Sequence, residues 1–145
     1  MKDLTLNIPF SIYLLYPVDR DNEDDFYKQL QNYINVGTEI FAYLIDWEKM
    51  DGLPKCRLYV PADHEVFIHN AYKSGFITKD NIECINCNII ENCDLVILYG
   101  HTVQNSKEIE CARLEEIPIY SMPDLSPMAI EALKLSIKII VKAGD

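Results

Sequence analysis

Basic residues are scarce in this chain: 13 Lys and Arg stand against 23 Asp and Glu, so the formal net charge is -10. A surface of that sign repels nucleic-acid backbones and anionic membranes, and no local cluster of Lys or Arg offsets it. Long apolar runs are also lacking, since none reaches the ~18–20 residues that span a bilayer. We therefore expect neither nucleic acid nor membrane as a partner. A small anionic ligand is still compatible with a locally positive pocket.

A secretory leader is not evident either. The apolar stretch near the N-terminus is interrupted by Asp3, Asn7 and Pro9, and no small-residue cleavage site follows. The five cysteines are an odd number, which in a non-secreted chain favours reduced thiols over a disulfide framework. These features predict a cytoplasmic protein.

The cysteine spacing resembles a metal or redox motif only in part. Cys84 and Cys87 share a helical face if this segment is a helix, with Cys93 beyond. However, no second ligand pair with zinc-site spacing occurs, and the motif does not stand at a strand-to-helix junction typical of redox pairs. Buried, chemically inert thiols explain the pattern better. We expect no metal and no cofactor.

Short, continuously apolar runs alternate with amphipathic segments along the chain. Continuous rather than alternating hydrophobicity is typical of strands buried on both faces, as in parallel sheets. Such runs lie at 11–16, 56–60, 94–100 and 117–120. The predicted helices are one long helix before residue 52, or two broken near Gly37, and helices capped by Thr78, Ser106 and Ser126. The segment 62–75 shows no regular pattern.

This alternation predicts an α/β fold over residues 1–145. Strands that alternate with helices form parallel sheets with right-handed crossovers. The expected architecture is a single-domain, three-layer flavodoxin- or Rossmann-like sandwich with a short parallel sheet of about four strands. Ligands of such folds bind beyond the carboxyl ends of the strands, near the switch in strand order. A site is therefore expected at that edge.

Four short motifs occur in a fixed order along the chain. They are Ile12-Tyr13-Leu14 with Pro17, Asn92-Cys93-Asp94 before an apolar strand, Glu108 followed four residues later by Ala112, and Ile117-Pro118-Ile119-Tyr120. In this order they resemble the nucleoside 2-deoxyribosyltransferase-like superfamily, including its small bacterial and phage members. They lie within residues 12–17 and 92–120.

The resemblance implies a nucleoside or nucleotide ligand and cleavage of its N-glycosidic bond by a glutamate nucleophile, through a ribosyl-enzyme ester. Glu108 falls on the nucleophile position, and Tyr13 falls on the tyrosine that orients it. Family members generally assemble, so a homo-oligomer is implied. The residues expected to contact substrate are Pro17, Asp63, Asn86, His101 and Ser106.

The chain departs from the family pattern at several positions. Asn86 stands where the enzymes carry an aspartate, and an amide cannot act as a general acid. Residues 101–106 lack the family's Asp-x-Gly segment, although His101 offers a group that titrates near neutrality. Leu15 and Tyr16 replace a small Ala-Gly pair, and their bulk is expected to crowd the sugar site.

These departures keep two alternatives open. One is a non-catalytic nucleotide-binding or sensing module, in which Glu108 only accepts a hydrogen bond from a ribose hydroxyl. The other is a protein-interaction subunit, with Tyr16 closing a degenerate site and exposed aromatics on the first helix forming the partner surface. Those aromatics are Tyr27, Tyr33, Tyr43 and Trp47. For Glu108 alone, the simplest alternative is that it stabilises the dipole of its helix.

Overall fold

A four-stranded parallel sheet forms the centre of the molecule. The computed structural model describes residues 9–16, 18, 23–100 and 107–144, apart from the side chains of residues 23 and 63–65. The strands are β1 (Phe10–Leu15), β2 (Cys56–Tyr59), β3 (Leu95–Tyr99) and β4 (Ile119–Met122). Their order is β2-β1-β3-β4, and every neighbouring pair is parallel. All residues of β1 are buried because helices cover both faces of this inner strand.

Helices cover the two faces of the sheet and make three layers. They are α1 (Glu23–Met50), α2 (Glu65–Lys73), α3 (Lys79–Ile90), α4 (Lys107–Leu114) and α5 (Pro127–Ala143). Ile12 and Leu14 point into an apolar cluster formed with α1 and α5. Tyr13 and Leu15 point to the other face, into a second cluster that includes residues of α3 and α4. The predicted three-layer α/β sandwich with a parallel sheet is confirmed.

Two helices begin at the predicted caps. The Thr78 side chain accepts a hydrogen bond from the Asn81 amide, and Oδ1 of Asn81 accepts one from the Thr78 amide. This capping box satisfies two amides that have no partner inside α3. At α5, the Ser126 hydroxyl accepts from the Ala129 amide, and Pro127 occupies the first turn, where its missing N–H costs nothing.

The aspartate that precedes β3 extends the pairing of the central strands. The Asp94 amide donates to the Ser11 carbonyl at 2.7 Å, and the Asp94 carboxylate accepts from the Ser11 amide at 2.8 Å. The side chain thus replaces a backbone acceptor at the N-terminal edge of the sheet. Its role there is structural.

The first helix is continuous, so the break considered near Gly37 does not occur. The glycine has a packing role instead: a Cβ atom at this position would lie 2.9 Å from Cγ2 of Val60. The missing side chain therefore allows α1 to approach the end of β2 closely.

Two further details differ from the sequence prediction. Residues 61–73 form a short 3-10 helix, Pro61–His64, followed by α2, where no regular element was expected. The last strand begins at Ile119 instead of residue 117, because the Ile117 amide donates to the Ala112 carbonyl and so belongs to the end of α4. Among the described helices, none combines the length and the apolar character that crossing a bilayer would require.

Candidate functional site

The switch in strand order lies between β1 and β3. The connection after β1 leads to β2 on one side, and the connection after β3 leads to β4 on the other. Helix α4 follows β3 and packs on the face of the sheet that contains Tyr13. In open parallel sheets this crevice is where ligands bind. Tyr13 belongs to β1, and Glu108 belongs to the first turn of α4, which follows β3.

Tyr13 is a fully buried residue in the middle of the sheet. It lies opposite Tyr59 of β2 and Val96 of β3 in the strand register. The Tyr13 and Tyr59 rings are nearly parallel, with centroids 6.1 Å apart and an interplanar angle of 6°. Because the ring is held by both neighbours, its hydroxyl has a defined position.

Glu108 lies in the first turn of α4 and is half-buried. The next residue, Ile109, and Ala112 one turn later are buried in the second apolar cluster and hold the helix against the sheet. The Tyr13 hydroxyl donates to Oε2 of Glu108 across 3.3 Å. The structure therefore brings together the two residues that the resemblance singles out as catalytic, 95 positions apart in sequence.

This contact defines what the pair can do chemically. A distance of 3.3 Å is long for an O–H···O hydrogen bond. Hydrogen bonds of catalytic groups are often long before substrate binds and shorten in the complex. A phenol that donates to one carboxylate oxygen orients the other oxygen. Such a carboxylate can attack an electrophilic carbon or accept a hydrogen bond from a hydroxyl.

Asn86 is a buried polar residue on α3, with 5% of its surface exposed. It follows Ile82 and precedes Ile90 by one turn each, so it lies on the face of α3 that packs against the molecule. Its Oδ1 atom has no hydrogen-bond partner among the described residues. Buried polar atoms are normally paired, so this carbonyl oxygen is available to an N–H or O–H donor.

The expectation that all cysteines are reduced is wrong. Cys87 and Cys111 form a disulfide that joins α3 to α4, with Cα atoms 5.8 Å apart. The two helices pack closely enough for their cysteines to fall within the usual span of a disulfide. Cys84, the other half of the Cys-x-x-Cys motif, is exposed and free. Among the described residues, no group of three or more His, Cys, Asp or Glu could hold a metal ion.

The two remaining thiols are poor nucleophiles. Burial raises the pKa of Cys56 to about 11, with Glu48 and then Asp94 adding to the effect. Burial also raises the pKa of Cys93 to about 11; Asp94 adds to this effect, and Arg57 opposes it. A thiol attacks only as its thiolate, so neither cysteine suits covalent catalysis at neutral pH.

Tyrosines fill the opposite side of the same sheet edge. The Tyr16 ring stacks between Tyr33 at 5.1 Å and Tyr99 at 5.7 Å, against the cluster that includes α1. Burial raises the pKa of Tyr99, with smaller contributions from Tyr16, Asp124 and Glu39. Tyr16 thus lies across the sheet from Glu108 and does not close over it. Leu15 has its side chain on the Tyr13 side.

Several predicted contacts fall elsewhere. Pro17, His101 and Ser106 lie outside the described residues. Asp63 lies in the 3-10 helix directly after β2, as expected for a residue beyond the carboxyl end of a strand, but its side chain is not among those described. Tyr59, which packs against Tyr13, was not predicted as a site residue. The apolar run at 56–60 predicts the strand but does not indicate which residue of β1 packs against Tyr59.

The proposed aromatic partner surface on α1 needs correction. Tyr33 and Trp47 are buried at 3% and 6% exposure, so they belong to the core. The Tyr33 hydroxyl donates to the Leu14 carbonyl, which anchors α1 to β1. Tyr27 and Tyr43 are exposed as expected.

An apolar groove lies beside the exposed part of α1. Its volume is about 250 Å³, and it is lined by Ile34, Gly37, Thr38, Phe41, Leu58 and Val60. It runs between α1 and the edge strand β2, away from Glu108.

Comparison of the chain with protein-family models, with curated proteins and with solved structures gives no match. The resemblance noted in the sequence therefore stays a prediction.

Proposed function

We propose that this protein binds a nucleoside or nucleotide at the crevice between β1 and α4 and cleaves its N-glycosidic bond with Glu108 as nucleophile. The observation that carries the proposal is the contact between the Tyr13 hydroxyl and Glu108 Oε2. Two residues from distant parts of the chain meet at the switch in strand order, on elements held in place by buried neighbours. The resemblance assigns these same two residues to the reaction.

The proposed reaction has two steps. One carboxylate oxygen of Glu108 attacks the anomeric carbon, the bond to the base nitrogen breaks, and the base leaves with the bonding electron pair and takes up a proton from water. The resulting glycosyl ester is then hydrolysed by water, which yields the free sugar and the carboxylate. Tyr13 donates to the oxygen that does not attack and so holds the carboxylate in position. Asn86 supplies a buried acceptor that suits an exocyclic amino group or ring N–H of a base.

Base release tests this proposal directly. The purified protein is incubated with deoxynucleosides, deoxynucleotides and NAD, and free base or nicotinamide is followed by chromatography. Removing a nucleophile lowers the rate by about 10⁴-fold or more, so Glu108→Gln should abolish release while retaining binding. Glu110→Gln is the matched control, because Glu110 is exposed on the same turn of α4. Equal release by wild type and Glu108→Gln would refute the assignment of the nucleophile.

A non-catalytic nucleotide-binding module is the second candidate. The observation that favours it is Asn86, because an amide at this position accepts and donates hydrogen bonds without supplying a proton. This alternative predicts a thermal shift with a nucleotide and no base release. A ligand at about a hundred times its dissociation constant stabilises a protein by about 2.7 kcal/mol, which such a measurement resolves easily.

A protein-interaction role is favoured by one separate observation, the exposed apolar face of α1. Ile34, Phe41 and Ile45 are 36%, 44% and 37% exposed and recur at spacings of seven and four. This stripe borders the groove beside β2 and is a candidate surface for self-association. If it forms a homo-oligomer interface, Phe41→Glu will shift the sedimentation coefficient toward that of a single chain. An unchanged coefficient would exclude this surface.

A further inference from the structure

The disulfide ties the candidate nucleophile's helix to its neighbour. Cys87 lies in the last turns of α3, and Cys111 lies in α4, three residues after Glu108. Residues three apart share a side of a helix, so the covalent link and the carboxylate belong to neighbouring turns of one α4 surface. On α3, the residue before the link is the buried Asn86. Both ends of the link are therefore adjacent to predicted site residues.

Helix α4 needs such an anchor. It has eight residues, and helices shorter than ~12 residues are marginal without tertiary contacts. Among the described residues of α4, Ile109 and Ala112 are buried against the sheet. These two side chains determine the distance between α4 and the sheet. The disulfide adds a covalent link to α3, with the Cα atoms of Cys87 and Cys111 5.8 Å apart.

We propose that the Cys87–Cys111 disulfide is a redox-sensitive tether that positions Glu108 against Tyr13. The inference rests on the proposed function for its effect on catalysis, but its effect on the Tyr13–Glu108 contact is independent of any substrate. Cys87 and Cys111 do not touch the reacting atoms; they act through the position of α4. The oxidised protein has the contact, and the reduced protein loses it.

The chemistry of the switch is a thiol–disulfide exchange with a dithiol. One thiolate of the dithiol attacks a sulfur of the Cys87–Cys111 bond, that bond breaks, and a mixed disulfide forms. The second thiol of the reductant displaces the protein sulfur. The products are two protein thiols and the cyclic disulfide of the reductant, so two electrons and two protons pass to the protein. Oxidation by a disulfide reverses these steps.

Thiol counting under denaturing conditions establishes the redox state. With three free cysteines and one disulfide, alkylation without reductant should label three sites, and prior treatment with dithiothreitol should label five. The mass of the peptides identifies Cys87 and Cys111 as the pair that becomes available. Five labelled sites without reductant, after exposure to oxidised glutathione, would overturn the proposal.

The contact itself can be measured without substrate. Protein labelled with tyrosine carrying ¹³C at the ζ position gives a Tyr13 resonance that Tyr13→Phe identifies by its loss. In the oxidised protein, Glu108→Gln should shift this resonance, because the acceptor of the phenol changes. After reduction, the same substitution should leave it unmoved. A Glu108→Gln shift of equal size in both redox states would overturn the tether.

Kinetics separate positioning from general stability. Both redox forms are assayed well below the unfolding temperature. The kcat for base release should be roughly 10- to 100-fold higher in the oxidised protein than in the reduced protein, with little change in KM. Misplacement of a reacting group by about 1 Å has an effect of this size. The double variant Cys87→Ser with Cys111→Ser should match the reduced protein and ignore dithiothreitol. Cys84→Ser is the control and should respond like wild type.

The two proposals fail in different ways. If no substrate releases base but the Tyr13 resonance still couples to Glu108 only in the oxidised protein, the enzyme proposal fails and the tether stands. If base release depends on Glu108 but kcat is the same in both redox states, the tether fails and the enzyme stands. For a double variant that does not fold, the reduced wild-type protein provides the same comparison.

Discussion

Tyr13 brings a hydroxyl into the interior of an apolar cluster, where a polar atom needs a partner. Its acceptor is a carboxylate on a different element, and hydrogen bonds to charged groups contribute about 1.5–3 kcal/mol. If that energy holds Glu108 in its reactive position, Tyr13→Phe should lower the rate of base release by about 10- to 100-fold. Tyr43→Phe is the matched control, because Tyr43 is exposed on α1. Equal rates for the two variants would contradict the positioning role.

The buried thiols give a second prediction for single residues. A rise in pKa from 9.0 to about 11 lowers the thiolate fraction at pH 8 by about 100-fold. Cys56 and Cys93 should therefore react with iodoacetamide about a hundred times more slowly than thiols of ordinary pKa, with the exposed Cys84 labelled first. Peptide mass spectrometry over time measures each site. Their rates should rise about tenfold per pH unit up to about pH 11; a plateau near pH 9 would show ordinary thiols.

The sequence indicates the structural role of some single residues and not of others. Thr78 and Ser126 were identifiable as caps because their effect is local: a short polar side chain next to the first turn of a helix. The pairing of Cys87 with Cys111 was not predicted, since it depends on how α3 and α4 pack. Tyr33 and Trp47 were misassigned to the surface for a similar reason, because tertiary contacts decide which side of a long helix is buried.

At the scale of elements, the fit between α1 and β2 depends on Gly37. Alanine is about 1 kcal/mol more favourable than glycine inside a helix. Its Cβ would, however, meet the stiff side chain of Val60 at 2.9 Å, and overpacking of this kind costs about 1–3 kcal/mol. Gly37→Ala should therefore lower the free energy of unfolding by about 1 kcal/mol. Urea denaturation measures the change.

A double variant shows whether this contact is the cause. In a Val60→Ala background the clash is absent, so Gly37→Ala should raise the free energy of unfolding by up to about 1 kcal/mol through helix propensity alone. The sign of the effect thus reverses between the two backgrounds. Stabilisation by Gly37→Ala in both would mean that α1 and β2 do not need the close approach.

The pattern of elements was predictable where hydrophobic periodicity is strong. The strands and α1, α3 and α5 have long or continuous apolar patterns, and their existence is confirmed. Helix α2 was missed because its two exposed apolar residues, Val66 and Phe67, obscure the period. The boundary of β4 was placed two residues early, since the sequence does not show that the Ile117 amide bonds back to α4.

For the whole molecule, the disulfide should contribute measurably to stability. It closes a separation of 24 residues, and the chain-entropy model assigns about 3 kcal/mol to a loop of this size. Reduction by dithiothreitol should lower the free energy of unfolding by that amount, as measured by the shift of the urea midpoint. Cys84→Ser should show the same shift on reduction as wild type. A midpoint independent of reductant would indicate that the bond does not constrain the unfolded chain.

The parallel α/β architecture was the most predictable property of the molecule, and the site the least. A parallel sheet follows from alternating strands and helices, and its carboxyl edge follows from the topology. The meeting of Tyr13 and Glu108 required a resemblance to a family, since no local pattern relates residues 95 positions apart. The geometry of the pair then depends on neighbours such as Tyr59, which composition and periodicity do not identify.

The chain contains one tryptophan, Trp47, and the structure buries it between α1 and α5 with the Lys134 ammonium 6.0 Å from its ring. Lys134 is also paired with Asp51 at 3.0 Å. The molecule thus carries its own optical probe, on the face of the sheet opposite Glu108. The wavelength of its emission maximum will shift when the whole fold is lost, whereas ligand binding or disulfide reduction at α4 will leave that wavelength unchanged. Fluorescence can therefore serve as the neutral monitor of folding in every experiment on the site.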